Sequence, residues 1–324
     1  MTMQGFDPKW KDFPDFIIGI TREIWEDRHI ASLRHYYAAT LPVRSPACLV
    51  IGNANVIAAT LATLAEFPDR SLLAEDVIWC GNPVDGLLSS HRLLSTATHS
   101  RDGAYGKATG KKLTYRIMAD CAARNNQIFD EWLIRDQGAI VRAMGWDPKA
   151  YAIDQILREG GPDRCVRPFT PAMDVDGGYQ GRGNDHASGA LYGEILSRIM
   201  AADLAVIPQK YDRAAQLDLP GGVTGHGFGD ADQFWTGLRA AFPSARFEIH
   251  HQIGRDDPEF SPRAAIRWSL TGKHDGWGAF GPPTGAEVHV MGISHAEFGP
   301  WGLRREYVLI DETAIWKQIA LHTG

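Results

Sequence analysis

Apolar positions near the start of the chain recur at helical spacing: Phe16, Ile17, Ile20, Ile24, Trp25, Leu33 and Tyr36, with charges between them. The pattern predicts a helix over 14–37, opened by Pro14 and Asp15. A second helix is predicted over 54–66, with Val56, Ile57, Leu61 and Leu64 as its apolar face. It stops at Phe67-Pro68, because proline disfavours helix for the residue before it. Short β-rich runs follow at 72–79, 91–100, 112–121 and 127–135, separated by Gly, Asn and Pro turns. The same order then returns. Helices are predicted at 191–203 and 230–241, and strands at 247–254, 264–274, 287–298 and 302–311. Helices first and an antiparallel meander after is an α+β pattern.

The repetition extends to residues. Arg92, Thr96, His99, Gly103, Gly106, Thr109 and Gly110 match Arg267, Thr271, His274, Gly278, Gly281, Thr284 and Gly285 at one offset (274 − 99 = 175). The same offset relates Phe67-Pro68 to Phe242-Pro243, Glu131 and Asp136 to Glu306 and Asp311, and Tyr36 to Tyr211. The chain reads as a duplicated domain, with one copy in 1–147, a joint in 148–187 and a second copy in 188–324. The joint carries Gly160-Gly161-Pro162 and Gly177-Gly178, the composition of a linker, with one short helix near 151–158.

Composition then narrows the function. A net charge of −6 with no dense Lys/Arg cluster argues against nucleic acid as a partner. The four cysteines (Cys48, Cys80, Cys121 and Cys165) have no CxxC spacing, so neither a zinc site nor a disulfide framework is implied. His250-His251 resembles a metal pair, but adjacent strand residues point to opposite faces, so no metal is expected. The glycines from Gly103 to Gly110 lack the Lys-Ser/Thr ending of a phosphate loop and read as a hairpin. The N-terminus lacks the pattern of a signal peptide, and no apolar run approaches the roughly 20 residues of a membrane span. The expectation is a cytoplasmic protein without membrane contact.

Residues 230–317 resemble the SnoaL-like polyketide cyclases, within the nuclear transport factor 2-like (cystatin-like) superfamily. The resemblance rests on Phe242-Pro243, on Ala265-Ile-Arg267-Trp268-Ser-Leu-Thr-Gly-Lys-His274, and on Gly281-Pro-Pro-Thr-Gly285. Gly302-Leu303, Arg305-Glu306-Tyr307 and Asp311 follow. The first copy carries the likeness more weakly; it has Asn125-Asn126-Gln127 where the family usually turns on Asp-Gly. The resemblance implies tandem cone-shaped α+β domains, each a curved antiparallel sheet wrapped around N-terminal helices, with a deep pocket at the wide end. It implies chemistry without metal or cofactor, and sheets paired back to back as a pseudo-dimer within one chain, with further homo-oligomers open.

In the cyclases a carboxylate on the third long strand acts as acid/base. The resemblance puts Asp120 there in the first copy and His295 in the second. Histidine titrates near working pH by itself, whereas an aspartate must be lifted by an apolar surround such as Met118, Cys121 and Ile128. His99 and His274, kept by both copies, are expected to orient a substrate carbonyl or else to hold the glycine hairpin. Arg92 and Arg267 are expected to pair with Glu131/Glu306 or Asp136/Asp311, or to bind a substrate carboxylate. Trp25, Trp132, Trp235, Trp268 and Tyr307 are candidates for the wall of a pocket that takes a small hydrophobic molecule. The leading expectation is a cofactor-free acid/base enzyme closing a ring on, or isomerising, a small-to-medium hydrophobic carbonyl compound. The alternatives are a non-catalytic ligand-binding or scaffold protein, and a hydrolase or dehydratase on the same fold.

Overall fold

The computed structural model describes residues 3–324. The first copy opens with α1 (Phe13–Thr21), α2 (Leu33–Tyr36), the hairpin β1 (Pro42–Ser45) and β2 (Cys48–Ile51), and α3 (Asn53–Glu66). Four long strands follow, β3 (Ser71–Asn82), β4 (Gly86–Thr98), β5 (Lys112–Arg124) and β6 (Gln127–Arg135), then α4 (Gln137–Ala143). After α5 (Pro148–Arg158) the second copy repeats the order with α6 (Ala187–Met200), α7 (Val206–Lys210), β7 (Tyr211–Leu219), β8 (Val223–His226) and α8 (Gly227–Ala241). It closes with β9 (Arg246–Arg255), β10 (Arg263–Lys273), β11 (Glu287–Gly299), β12 (Gly302–Leu309) and α9 (Glu312–Thr323).

Each copy builds one six-stranded sheet in the same strand order, β2-β1-β6-β5-β4-β3 and β8-β7-β12-β11-β10-β9. The sheets are mixed rather than purely antiparallel, because β1 runs parallel to β6 and β7 parallel to β12. The short β1–β2 strands escape a reading by alternation, since four residues show it only twice. The single helix expected over 14–37 is broken instead. It passes through a π turn at Arg22–Glu26 and a left-handed Arg28 (φ 64°) before a 3₁₀ turn at Ile30–Ser32.

The offset of 175 holds from α3 onward, as in β5 starting at 112 and β11 at 287. It slips before that. Tyr37 bridges Ile128 while Tyr211 bridges Leu303, and Val43 faces Glu131 while Leu217 faces Glu306. The counterpart of Tyr211 is therefore Tyr37, not Tyr36. The register recovers in the longer second turn, Pro220-Gly221-Gly222 against Pro46-Ala47.

The inner face of each sheet packs on its own helices. The outer faces of the two sheets pack on each other: Met118 and Ile134 meet Met291, Ile293 and Tyr307, and Ile78 and Leu88 meet Ile253 and Ala265. The central strands are thus buried on both sides. On β5, Ile117, Ala119 and Cys121 point into the first cone, while Met118 and Ala122 point at the other sheet. That parity decides the location of every candidate residue.

Candidate functional site

Asp120 and His295 share the outer face of their strands with Met118 and Ile293, so both lie between the sheets and not in a cone. Asp120 accepts a hydrogen bond from Arg267 Nε at 3.0 Å, and His295 Nδ1 meets Arg92 at 3.2 Å. Arg267 lies over the Trp132 ring at 3.7 Å, and Arg92 over the Tyr307 ring at 3.4 Å. The two trios are equivalent under the offset: each arginine reaches across to the other copy's strand position. This is the self-complementary contact of a two-fold interface. Burial pushes the Asp120 carboxyl up, and Arg267 offsets this only in part; burial holds His295 well below its ordinary value, so it is neutral. Six candidates (Asp120, His295, Arg92, Arg267, Trp132 and Tyr307) are therefore interface residues. The expected pairing of Arg92 with Glu131 or Asp136 does not form; Arg92 pairs with Glu75.

His99 and His274 hold the glycine hairpins. His99 is fully buried between Thr109 Oγ1 (3.1 Å) and Glu66 Oε1 (3.1 Å), and Glu66 also accepts the backbone N–H groups of Ala104 and Tyr105. His274 makes the same bond to Thr284 at 3.0 Å. Neither histidine lines the cavity described next.

A cavity of about 240 Å³ fills the wide end of the first cone. Its walls are mostly apolar, from α1, α3, the β1–β2 hairpin and the inner faces of β4, β5 and β6; Trp25 is the one sequence candidate among them. Across the sheet the rows read Ser89–Cys121–Glu131, His91–Ala119–Leu133 and Leu93–Ile117–Arg135. The small Ala119 leaves room between His91 and Leu133. Glu131 is buried, and its Oε2 has no hydrogen-bond partner. Burial pushes its carboxyl up to about 7; Arg135, the Tyr37 hydroxyl and the Cys121 thiol favour the anion without cancelling that. Burial takes His91 down to about 4, so it is a neutral imidazole. Arg70 and Tyr115 stand near Arg135, with Arg70 Nε donating to Tyr115 Oη at 3.2 Å. The sequence reading noticed Glu131 only as a salt-bridge partner and missed His91, Arg70, Tyr37, Tyr115 and Arg135.

The second cone is packed shut. Where the first copy has Thr60 and Leu93, the second has Trp235 and Trp268, and Tyr192 of α6 packs beside them, all fully buried. Trp268 lies against Gly292, where even a Cβ would come within 2.2 Å of the ring. The counterpart of Glu131, Glu306, is tied by Tyr192 Oη (2.8 Å), Tyr211 Oη (2.9 Å) and Trp235 Nε1 (3.3 Å). Trp235 and Trp268 are therefore core, not pocket wall. Burial raises Glu306 to about 7 despite those three donors. A carboxyl raised on folding is stabilising in its protonated form, present below about 4.5 and lost as pH climbs through 7. Glu306→Gln should therefore leave stability unchanged near pH 4 and gain about 3 kcal/mol over the wild type above pH 7. Urea unfolding across that range checks it; parallel curves for the two proteins would contradict it.

Residues 194–304 match the model of the SnoaL-like domain family. No curated protein matches the chain. Among solved structures, the chain is similar to wild-type IdmH from Streptomyces antibioticus (20% identity, 41% of this chain and 98% of that one, TM-score 0.36). It is also similar to a SnoaL-like polyketide cyclase from Agrobacterium tumefaciens (19%, 41% and 98%, TM-score 0.33) and to TsrD from Streptomyces laurentii (15%, 41% and 93%, TM-score 0.35). Among the described residues, no helix is long and apolar enough to cross a membrane.

Proposed function

We propose that the chain is an acid/base enzyme acting on a small hydrophobic carbonyl compound in the first cone, with Glu131 as the proton-transferring group. The observation that carries this reading is an enclosed carboxyl, raised to about 7, on the wall of a mostly apolar cavity. A base poised near working pH removes and returns protons best. Glu131 takes a proton from the carbon beside the carbonyl, the C–H electron pair moves toward the carbonyl oxygen, and an enolate forms. Neutral His91 offers its one N–H to that oxygen as a hydrogen-bond donor and keeps the proton. The enolate carbon then either takes the proton back or attacks a second carbonyl of the same molecule to close a ring, and the alkoxide that this leaves takes the proton from Glu131. Trp25 and the aliphatic wall exclude water. The second cone acts as a scaffold, holding the first sheet's outer face.

The test is solvent-deuterium exchange into the α-positions of 2-tetralone, followed by NMR. The purified chain should accelerate exchange over buffer, with a rate that rises through pH 7 and then levels off, as a base of that pKa requires. No acceleration across a panel of such ketones would remove the reading.

A further inference from the structure

Among the described residues five arginines are buried, and they divide by partner. Between the sheets, Arg44 meets Asp130 and Asp174, Arg92 meets Glu75, Arg263 meets Asp76 and Asp257, and Arg267 meets Asp120. Buried Arg70 has no such partner, and neither does half-buried Arg135, which shares the cavity with it: among the described residues no carboxylate lies within 4 Å of either. Arg135 Nε is enclosed and unbonded, and Arg70 Nε reaches only the Tyr115 hydroxyl. The two charges act on each other and on that phenol, so they stand together.

An enclosed cation without a counter-ion is costly, and proteins normally pair it. The duplication supplies an internal control. At the three matching positions the second cone has Ala245, Val290 and Ile310, all buried, and that cone is filled by Tyr192, Trp235 and Trp268. The fold therefore does not need these polar groups; they accompany the cavity. Glu131, four residues back on the same strand, feels the charge of Arg135, but no contact within 4 Å joins the two side chains. Asp311, contributed to the lining by the second copy, is engaged in capping α9 through Ala314 N and Thr313.

We infer that Arg70, Arg135 and Tyr115 form an anion subsite, and that the ligand of the first cone is an apolar molecule carrying a carboxylate. This deepens the reading above by naming a substrate class, and rests on it only in calling the ligand a substrate. Two guanidinium groups beside one phenolic hydroxyl match the donor demand of a carboxylate, with fork geometry that Lys does not supply. The distance from the arginines to Glu131 sets the ligand's length: its acid group lies at one end of the cavity and its carbonyl at the other.

The test is calorimetric titration of the full chain with 2-naphthoate and with its methyl ester, which share an apolar body and differ in charge. The acid should bind at least ten-fold tighter than the ester. Arg135→Met should weaken the acid roughly ten-fold to hundred-fold while leaving the ester unchanged, since one charge-assisted bond is lost and the wall is kept. Arg135→Lys should recover part of the loss. Unchanged ester binding reports that the variant is folded. Glu131→Gln should keep or strengthen binding of the acid even though it stops proton exchange, so the subsite and the acid/base role can fail separately. Equal binding of acid and ester, binding of neither, or an undiminished preference in Arg135→Met overturns the inference.

Discussion

Glu131→Gln should lower the exchange of 2-tetralone α-protons by about 10²–10⁴-fold, the usual worth of a positioned acid/base group. Gln has the same shape and cannot take a proton, so packing around Cys121 and Tyr37 is kept. The variant should also be more stable above pH 7, by about 3 kcal/mol as for Glu306→Gln, because the wild type must there hold an ionised carboxyl in an apolar surround. Loss of activity with equal or greater stability separates a chemical role from a structural one. A second variant tests the location independently of the chemistry. Thr60→Trp copies into the first cone the residue that stands at Trp235 in the second, and should close the cavity. Exchange should stop although Glu131 remains. Activity that survives either change would move the chemistry out of this cone.

The second large effect concerns stability. Asp120→Ala leaves the buried Arg267 guanidinium facing Trp132 without its counter-ion, and breaking a buried pair from one side costs about 3–5 kcal/mol. Urea unfolding should show that loss. Removing both charges, as in Asp120→Leu with Arg267→Met, should restore much of it, because the desolvation of each ion disappears together with their attraction. Exchange activity per folded molecule should be unaffected in all of these proteins. An Asp120 variant that keeps its stability and loses its chemistry would return this residue to the role the sequence first suggested.

Helices α3, α5, α6 and α8, all eight long strands and the offset between copies were legible, since each rests on a repeated pattern, whereas α4, α7 and α9 were not predicted. Which face of β5 looks into the cone was not. Residues 117–123 (Ile117-Met118-Ala119-Asp120-Cys121-Ala122-Ala123) are apolar on both faces, because one face meets helices and the other meets the second sheet. A strand buried twice loses the alternation that fixes its orientation. Asp120 interrupts that run and so drew notice, yet its neighbours on the same face, Met118 and Ala122, belong to the interface.

The copies also invited the wrong comparison. Residues kept in both (Arg92 and Arg267, His99 and His274) seemed functional because they were kept. In a fused duplicate the contact between copies and the hairpins must be preserved twice, so shared residues mark those. The cavity is marked by what differs: Thr60 against Trp235, Arg70 against Ala245, His91 against Ile266, Tyr115 against Val290 and Arg135 against Ile310. Each of these pairs was visible in the sequence. Only the knowledge that one cone is filled tells which side of the difference carries chemistry.

Crystals soaked with 2-tetralone or 2-naphthoate test the central claim most directly, because they report where a ligand goes rather than what a variant loses. The account predicts density in the first cone among Trp25, His91, Glu131 and Arg135, with the second cone filled by its own tryptophans. Density in the second cone beside Glu306, or between the sheets beside Asp120 and His295, would contradict it.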